Sequence, residues 1–271
     1  MNATHRMELQ YDGTGLYGWS KQEGLPTVEG CLEKAFATVL GVTPALRVAG
    51  RTDTGVHARR QVVSLHLPKG MDLSRLTGSL NALTPRGIAI TRLSRAPESF
   101  NARRDAVSRT YRYFLSTAAV SSPFLSLYCW QKPGELDREA MCAVAEATVG
   151  KHDFTAFTPV ETGHTFFRRT VLRCVWRRVP AMVARAGSGD GRNGVFCLEI
   201  EADAFLRHMV RTLVGTMVAV GEGKRDLKEF CQLLDGGTRV EAGPTAPAHG
   251  LFFWDVRYAG GGEQGECEDY E

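Results

Sequence analysis

The chain has 271 residues, 43% of them hydrophobic and 23% charged, which suits one large or two small globular domains and excludes a disordered polymer. No apolar run approaches the roughly 20 residues that cross a bilayer, and the N-terminus lacks the apolar core of a secretory signal, so a cytoplasmic protein with no membrane partner is expected. The formal net charge is +3, but residues 259–271 hold five acids and no Lys or Arg, leaving +8 on the rest, a balance that suits a polyanionic partner.

In chain order, residues 6–11 read as a strand that ends in the turn-rich Asp12-Gly13-Thr14-Gly15. Thr27 can cap a helix whose apolar positions, Val28, Cys31, Leu32, Ala35, Phe36, Val39 and Leu40, recur at three and four. Gly41 stops it. Residues 45–49 and 61–67 read as strands around a polar loop, 50–60. Asp72 starts a second helix with Leu73, Leu76, Leu80 and Leu83 inward, and 88–93 is a further strand. The second half repeats this order. A strand spans 110–116, and Asp137 caps a helix that Gly150 closes. Strands follow at 170–178 and 195–201. Asp203 is read as the cap of a long helix carrying Phe205, Leu206, Met209, Val210, Leu213, Val214, Met217 and Val218. A short helix at 226–234 and a strand at 251–258 complete the pattern.

Each half thus reads β-α-β-β-α-β with one extra helix in the second, the split-βαβ or ferredoxin-like order of an antiparallel sheet flanked by helices. The expected class is α+β. The expected domains are 1–103, 104–258 and an acidic Gly-rich tail at 259–271 expected to be disordered. The Gly-rich stretch 180–194 reads as a long loop between two strands.

The seven cysteines lie at 31, 129, 142, 174, 197, 231 and 267. None are spaced as in zinc or CxxC motifs, and most sit in apolar segments, so free buried thiols are expected. No two histidines have the spacing of three to five that joins two imidazoles in one metal site. No P-loop, dinucleotide fingerprint or Gly-x-Ser-x-Gly elbow is present. Of 33 basic residues, 26 are Arg. A GC-rich genome would give such a bias, but so would phosphate recognition. Seven of them fall between 86 and 112, and five between 168 and 178, a pattern that fits a nucleic-acid backbone.

The loop at 50–58 reads GRTDTGVHA. It sets a carboxylate, Asp53, near the cation of Arg51, between glycines that allow tight backbone geometry. Two readings are open from spacing alone: a structural turn with an Asp–Arg pair, or a reactive carboxylate. A lone carboxylate does not fit an ordinary glycosidase, which uses two.

This loop resembles the GRTDxGVHA signature of the tRNA pseudouridine synthase A family. YDGTGLYGW at 11–19 resembles that family's opening YDGTxxxGW, and TVEGCLEKA at 27–35 its first helix. FNAR at 100–103 and RTYRY at 109–113 are similar to its FHAR and RxYRY segments. FLRHMVRTLVG at 205–215 resembles FLxHMVRxxVG, and GPTAPAHGL at 243–251 resembles GxTAPAxGL. These segments cover nearly the whole expected fold in order.

The resemblance implies two ferredoxin-like halves with a basic cleft between them. It implies isomerisation of uridine to pseudouridine in the tRNA anticodon stem-loop, usually at positions 38 to 40, without cofactor or metal, by an enzyme that is commonly a homodimer. By match to the family, Asp53 is the essential carboxylate, attacking C1′ or taking the C2′ proton. Tyr111 stacks on the uracil and assists removal of the C5 proton. Arg211 pairs with the carboxylate, Leu251 packs on the base, and Arg51 fills the space of the flipped base. His57, Arg103, Arg109 and Arg207 are expected to bind substrate, with Arg207, His208 and Arg211 forming a polar stripe on the long helix. Tyr113 is expected in the core.

The chain departs from the family pattern at Ser20, Asn101, Arg104, Arg59-Arg60 and Phe252. None removes a catalytic group, and the added arginines bear on RNA register. Three alternatives stay open: a related synthase with other RNA targets, a tRNA-binding chaperone without catalysis, and a carboxylate glycosidase.

Overall fold

The computed structural model describes residues 2–163, 165–179 and 194–259. Residues 260–271 of the expected tail and most of the expected 180–194 loop lie outside the described residues. Among the described residues the architecture is mixed α/β, a ten-stranded sheet with five α-helices. In chain order these are β1 (Asn2–Tyr11), α1 (Val28–Leu40), β2 (Arg47–Val48), β3 (His57–Pro68), α2 (Leu73–Leu83) and β4 (Ile88–Arg95). Then come β5 (Ala106–Ser116), β6 (Trp130–Gln131), α3 (Arg138–Ala147), β7 (Gly150–Asp153), β8 (Arg168–Val179), β9 (Val195–Ala202), α4 (Met209–Gly221), α5 (Leu227–Leu233) and β10 (Leu251–Tyr258).

Side-chain caps set the starts of four helices. Thr27, Asp72, Asp137 and Asp226 each accept the backbone N–H of the residue three ahead, which satisfies one orphan donor of the first turn. Glu229 returns the bond to Asp226 and completes a capping box. The fifth start differs from expectation. Asp203 does not cap a helix: its Oδ1 accepts from Thr170 N at 3.1 Å and Ala204 N, joining β8 to the end of β9. α4 begins only at Met209, so Arg207 and His208 precede the helix rather than lie along it.

The sheet order is β4-β1-β3-β10-β5-β9-β8-β7, with β2 on β3 and β6 on β5. β1 pairs antiparallel with β3 and β4, and β5 with β9 and β10. A short parallel contact, Phe252 with His57 and Phe253 with Ala58, joins the two sets of strands into one continuous sheet. The sequence suggests two separate sheets, because nothing local encodes this seam. β6 and β7 are too short for alternation to reveal them. One apolar core runs through the whole, with Met7, Leu9, Leu32, Phe36, Tyr113, Leu198, Leu213 and Phe253 fully buried. Cys129, Cys174 and Cys197 are buried, whereas Cys142 is exposed against expectation.

Candidate active site

The 50–58 loop connects β2 to β3 and is held by the turn at 12–19. Trp19 N donates to Thr52 O at 3.0 Å and Gly55 N to Leu16 O at 3.2 Å. Gly18 has φ 83°, and a Cβ there would stand 2.7 Å from the Thr52 carbonyl oxygen, so only glycine lets the two backbones approach this closely. Beneath the loop the buried Tyr11 hydroxyl lies 2.7 Å from Thr52 Oγ1, and burial pushes that phenol up to about 12. The loop is therefore fixed by the opening motif on one side and by β3 on the other.

Asp53 faces an open cleft of about 1090 Å³ lined by the 47–54 segment, Asn101, Arg103, Arg109, Tyr111, Arg169, residues 204–211 and Leu251. Its Oδ2 lies 3.5 Å from His208 Nε2 and 4.0 Å from Arg211 Nη1. Arg211 is aimed from behind: its Nε donates to Ala246 O at 2.7 Å, and its own carbonyl accepts from Ala246 N at 3.0 Å. This pairing of α4 with the 243–248 segment needs Gly215, where a Cβ would collide with the Pro244 carbonyl. Tyr111 is buried on β5, edge-on to Phe205 at 4.9 Å and Phe253 at 5.2 Å. Burial first, then Tyr11 and the Asp53 charge, push its phenol well above the ordinary value. At neutral pH this hydroxyl is a proton-bearing donor and not a phenolate.

A family model described as tRNA pseudouridine synthase matches residues 144–259. A protein of Chlorobium chlorochromatii named tRNA pseudouridine synthase A is 39% identical over 256 residues, 94% of this chain and 99% of its own. One of the same name from Chlorobaculum tepidum is 40% identical over 94% of this chain and 98% of its own. Another, from Frankia casuarinae, is 42% identical over 93% and 88%. The chain belongs to the tRNA pseudouridine synthase A family.

In this family member the sequence-selected residues fall into four groups. Asp53, Tyr111 and Arg211 meet at the cleft, and Arg51, Leu251, Arg103 and Arg207 line it. Arg109 also borders the cleft, but its guanidinium is fully used by backbone. Its Nε and Nη2 donate to Ala49 O, Nη1 to Ala106 O and Asp203 O, and Nη2 to Arg103 O. All five of its N–H donors are taken, so it joins three segments of the wall and has none left for phosphate.

His57, expected to bind substrate, does not line the cleft. It is 1% exposed, accepts the Gly13 N–H at Nδ1 over 2.9 Å and approaches Asp12 Oδ1 at 3.1 Å. Its Nε2 lies 3.1 Å from both the Leu127 and His249 carbonyls, and its ring stacks on Phe252 at 4.6 Å. It is an internal staple that a motif match alone does not distinguish from a ligand contact. The unusual arginines are likewise accounted for elsewhere. Arg60 bonds Glu8 at 3.0 Å, Arg59 lies over Trp254, and Arg104 bonds Asp105 at 3.0 Å. Sequence reasoning passed over His208 and Phe205 as members of the site. The chain carries no local signal that a helix starts after His208. Among the described residues, no group of three or more His, Cys, Asp or Glu is placed to hold a metal, and no helix is long and apolar enough to cross a membrane.

Proposed function

We propose that the chain isomerises uridine to pseudouridine in tRNA, at the anticodon stem-loop, with Asp53 as the essential carboxylate. The observation that carries this reading is the convergence of Asp53, Tyr111 and Arg211, from three separate elements, on one cleft bordered by Arg51, Arg103 and Arg207. The reaction breaks the N1–C1′ bond, turns the uracil, joins C5 to C1′ and releases the C5 proton to solvent. It needs no oxidant and no second substrate.

Asp53 Oδ1 or Oδ2 attacks C1′ or removes the C2′ proton, and the Arg211 cation, 4.0 Å from Oδ2, orients the carboxylate. Leu251 and the Tyr111 ring bracket the uracil. With its phenol raised by burial, the Tyr111 hydroxyl acts as a neutral hydrogen-bond group on the departing base or on the water that takes the C5 proton. Extracting the base costs a few kcal/mol, which phosphate contacts by the exposed arginines offset. The strand order β4-β1-β3-β2 and its counterpart β10-β5-β9-β8 support two ferredoxin-like halves, 1–103 and 104–258. A homodimer in the cytoplasm, holding tRNA across both subunits, completes the reading.

The test is tritium release from tRNA carrying 5-tritiated uridine. The wild type is expected to release tritium and Asp53→Ala none. Tight tRNA binding by both with no release by either would leave a chaperone, and free uracil as product would mean a glycosidase.

A further inference from the structure

Among the described residues, His208 is the only one other than glycine with positive φ, at φ 60° and ψ −2°. A β-carbon makes this left-handed conformation unfavourable, and such residues persist where the surroundings over-determine them, most often at functional sites. The surroundings here do so from both sides. Thr158 Oγ1 donates to the Arg207 carbonyl at 3.0 Å, fixing the peptide that precedes His208. Met209, which follows it, is fully buried. A continuous helix through 208 would need no such conformation. The backbone departs from it and sets Nε2 at 3.5 Å from Asp53 Oδ2, on the same oxygen that Arg211 Nη1 reaches at 4.0 Å.

We infer that His208 is a positioning residue for the reaction: its neutral imidazole donates Nε2–H to Asp53 Oδ2 and, with Arg211, leaves Oδ1 as the oxygen presented to the nucleoside. This rests on Asp53 being the reactive carboxylate. The 3.5 Å separation is of the kind that tightens when substrate fills a site. The charges facing the imidazole are Asp53 from the β2–β3 loop, Arg211 on α4, Arg207 beside it and Arg239 from the segment after α5. Burial, opposed by Asp53 and reinforced by the three arginines, holds the imidazole below its ordinary value, so the neutral donor is present at pH 7. In acid it becomes a cation that grips Oδ2 more tightly and weakens the carboxylate as a nucleophile.

His208→Gly separates side chain from backbone, because glycine adopts φ 60° without penalty and the variant is expected to fold. The readouts are single-turnover tritium release at saturating enzyme and tRNA retention on filters. His208→Gly is expected to slow release about tenfold or more while tRNA affinity stays within about twofold, as a group acting only on the chemical step requires. His208→Gln keeps a neutral donor that does not titrate. It is expected to retain most of the rate, with an acid limb displaced to lower pH. The inference is overturned by a His208→Gly rate less than fivefold below wild type, by a loss seen only in affinity, or by a His208→Gln acid limb that coincides with wild type. Asp53→Ala run alongside separates the two readings. Release by Asp53→Ala removes Asp53 as the essential carboxylate, and this inference with it, whereas an inactive Asp53→Ala beside an unimpaired His208→Gly removes only this inference.

Discussion

Arg103 and Arg109 flank the start of β5, and the sequence offers both as phosphate ligands. The structure gives them different tasks. Arg103 is exposed at the cleft rim, so Arg103→Ala is expected to weaken tRNA binding and lower the salt slope of log Kd by about one, with the melting temperature unchanged. Arg109→Met leaves the carbonyls of Ala49, Ala106, Asp203 and Arg103 without their donor. It is expected to cost about 3 kcal/mol of stability in chemical denaturation. What was legible at this scale follows from how much of a residue's role is local. Asp53, Tyr111 and Arg211 stand in segments whose spacing carries their chemistry. His57 stands in the same signature as Asp53, yet its partners are carbonyls at 127 and 249, which no local pattern contains. His208 was illegible for the same reason, since the hydroxyl that fixes its backbone comes from Thr158.

Among the elements, α1, α2, α3 and α5 could be read because each begins with a capping side chain in its own sequence. The apolar run of α4 was legible but its start was not, because Asp203 is taken by the β8 backbone. α4 also meets the 243–248 segment more closely than side chains allow. Gly243 N donates to Thr216 Oγ1 at 3.0 Å, and Gly215 lies under the Pro244 carbonyl. Gly215→Ala raises intrinsic helix propensity but must push that segment away. The collision is expected to win, lowering stability by about 2 kcal/mol. Because Ala246 is the anchor of the Arg211 guanidinium, tritium release should fall further than tRNA binding does. A stable variant with wild-type rate would show that Arg211 does not depend on this contact.

At the scale of the whole molecule, four histidines among the described residues, His5, His57, His208 and His249, are held below their ordinary value, burial being the largest cause for each. The unfolded chain protonates them near pH 6.5 while the folded chain keeps them neutral to lower pH. Unfolding therefore takes up protons in this window, and stability falls as pH drops below about 6.5. Thermal melts at pH 7.5 and 5.5 should show the lower midpoint in acid, and an equal or higher midpoint would contradict that sign. The alternation of strands and helices was visible in the sequence, but the joining of strands at Phe252–His57 and Phe253–Ala58 was not, because each strand reads alike whether or not it meets the other. That seam has a kinetic consequence. Asp53 belongs to the early part of the chain, and its partners Arg211 and Ala246 to the late part. The strand that closes the seam, β10, is synthesised after the other strands of the described sheet. The β1–β3–β4 set pairs segments within residues 2–95, whereas the seam pairs residue 57 with residue 252, a loop of well over half the chain and the slowest class of contact to close. On refolding, secondary structure should return before tritium-releasing activity does. The lag between the two would time the moment at which the carboxylate first meets its arginine.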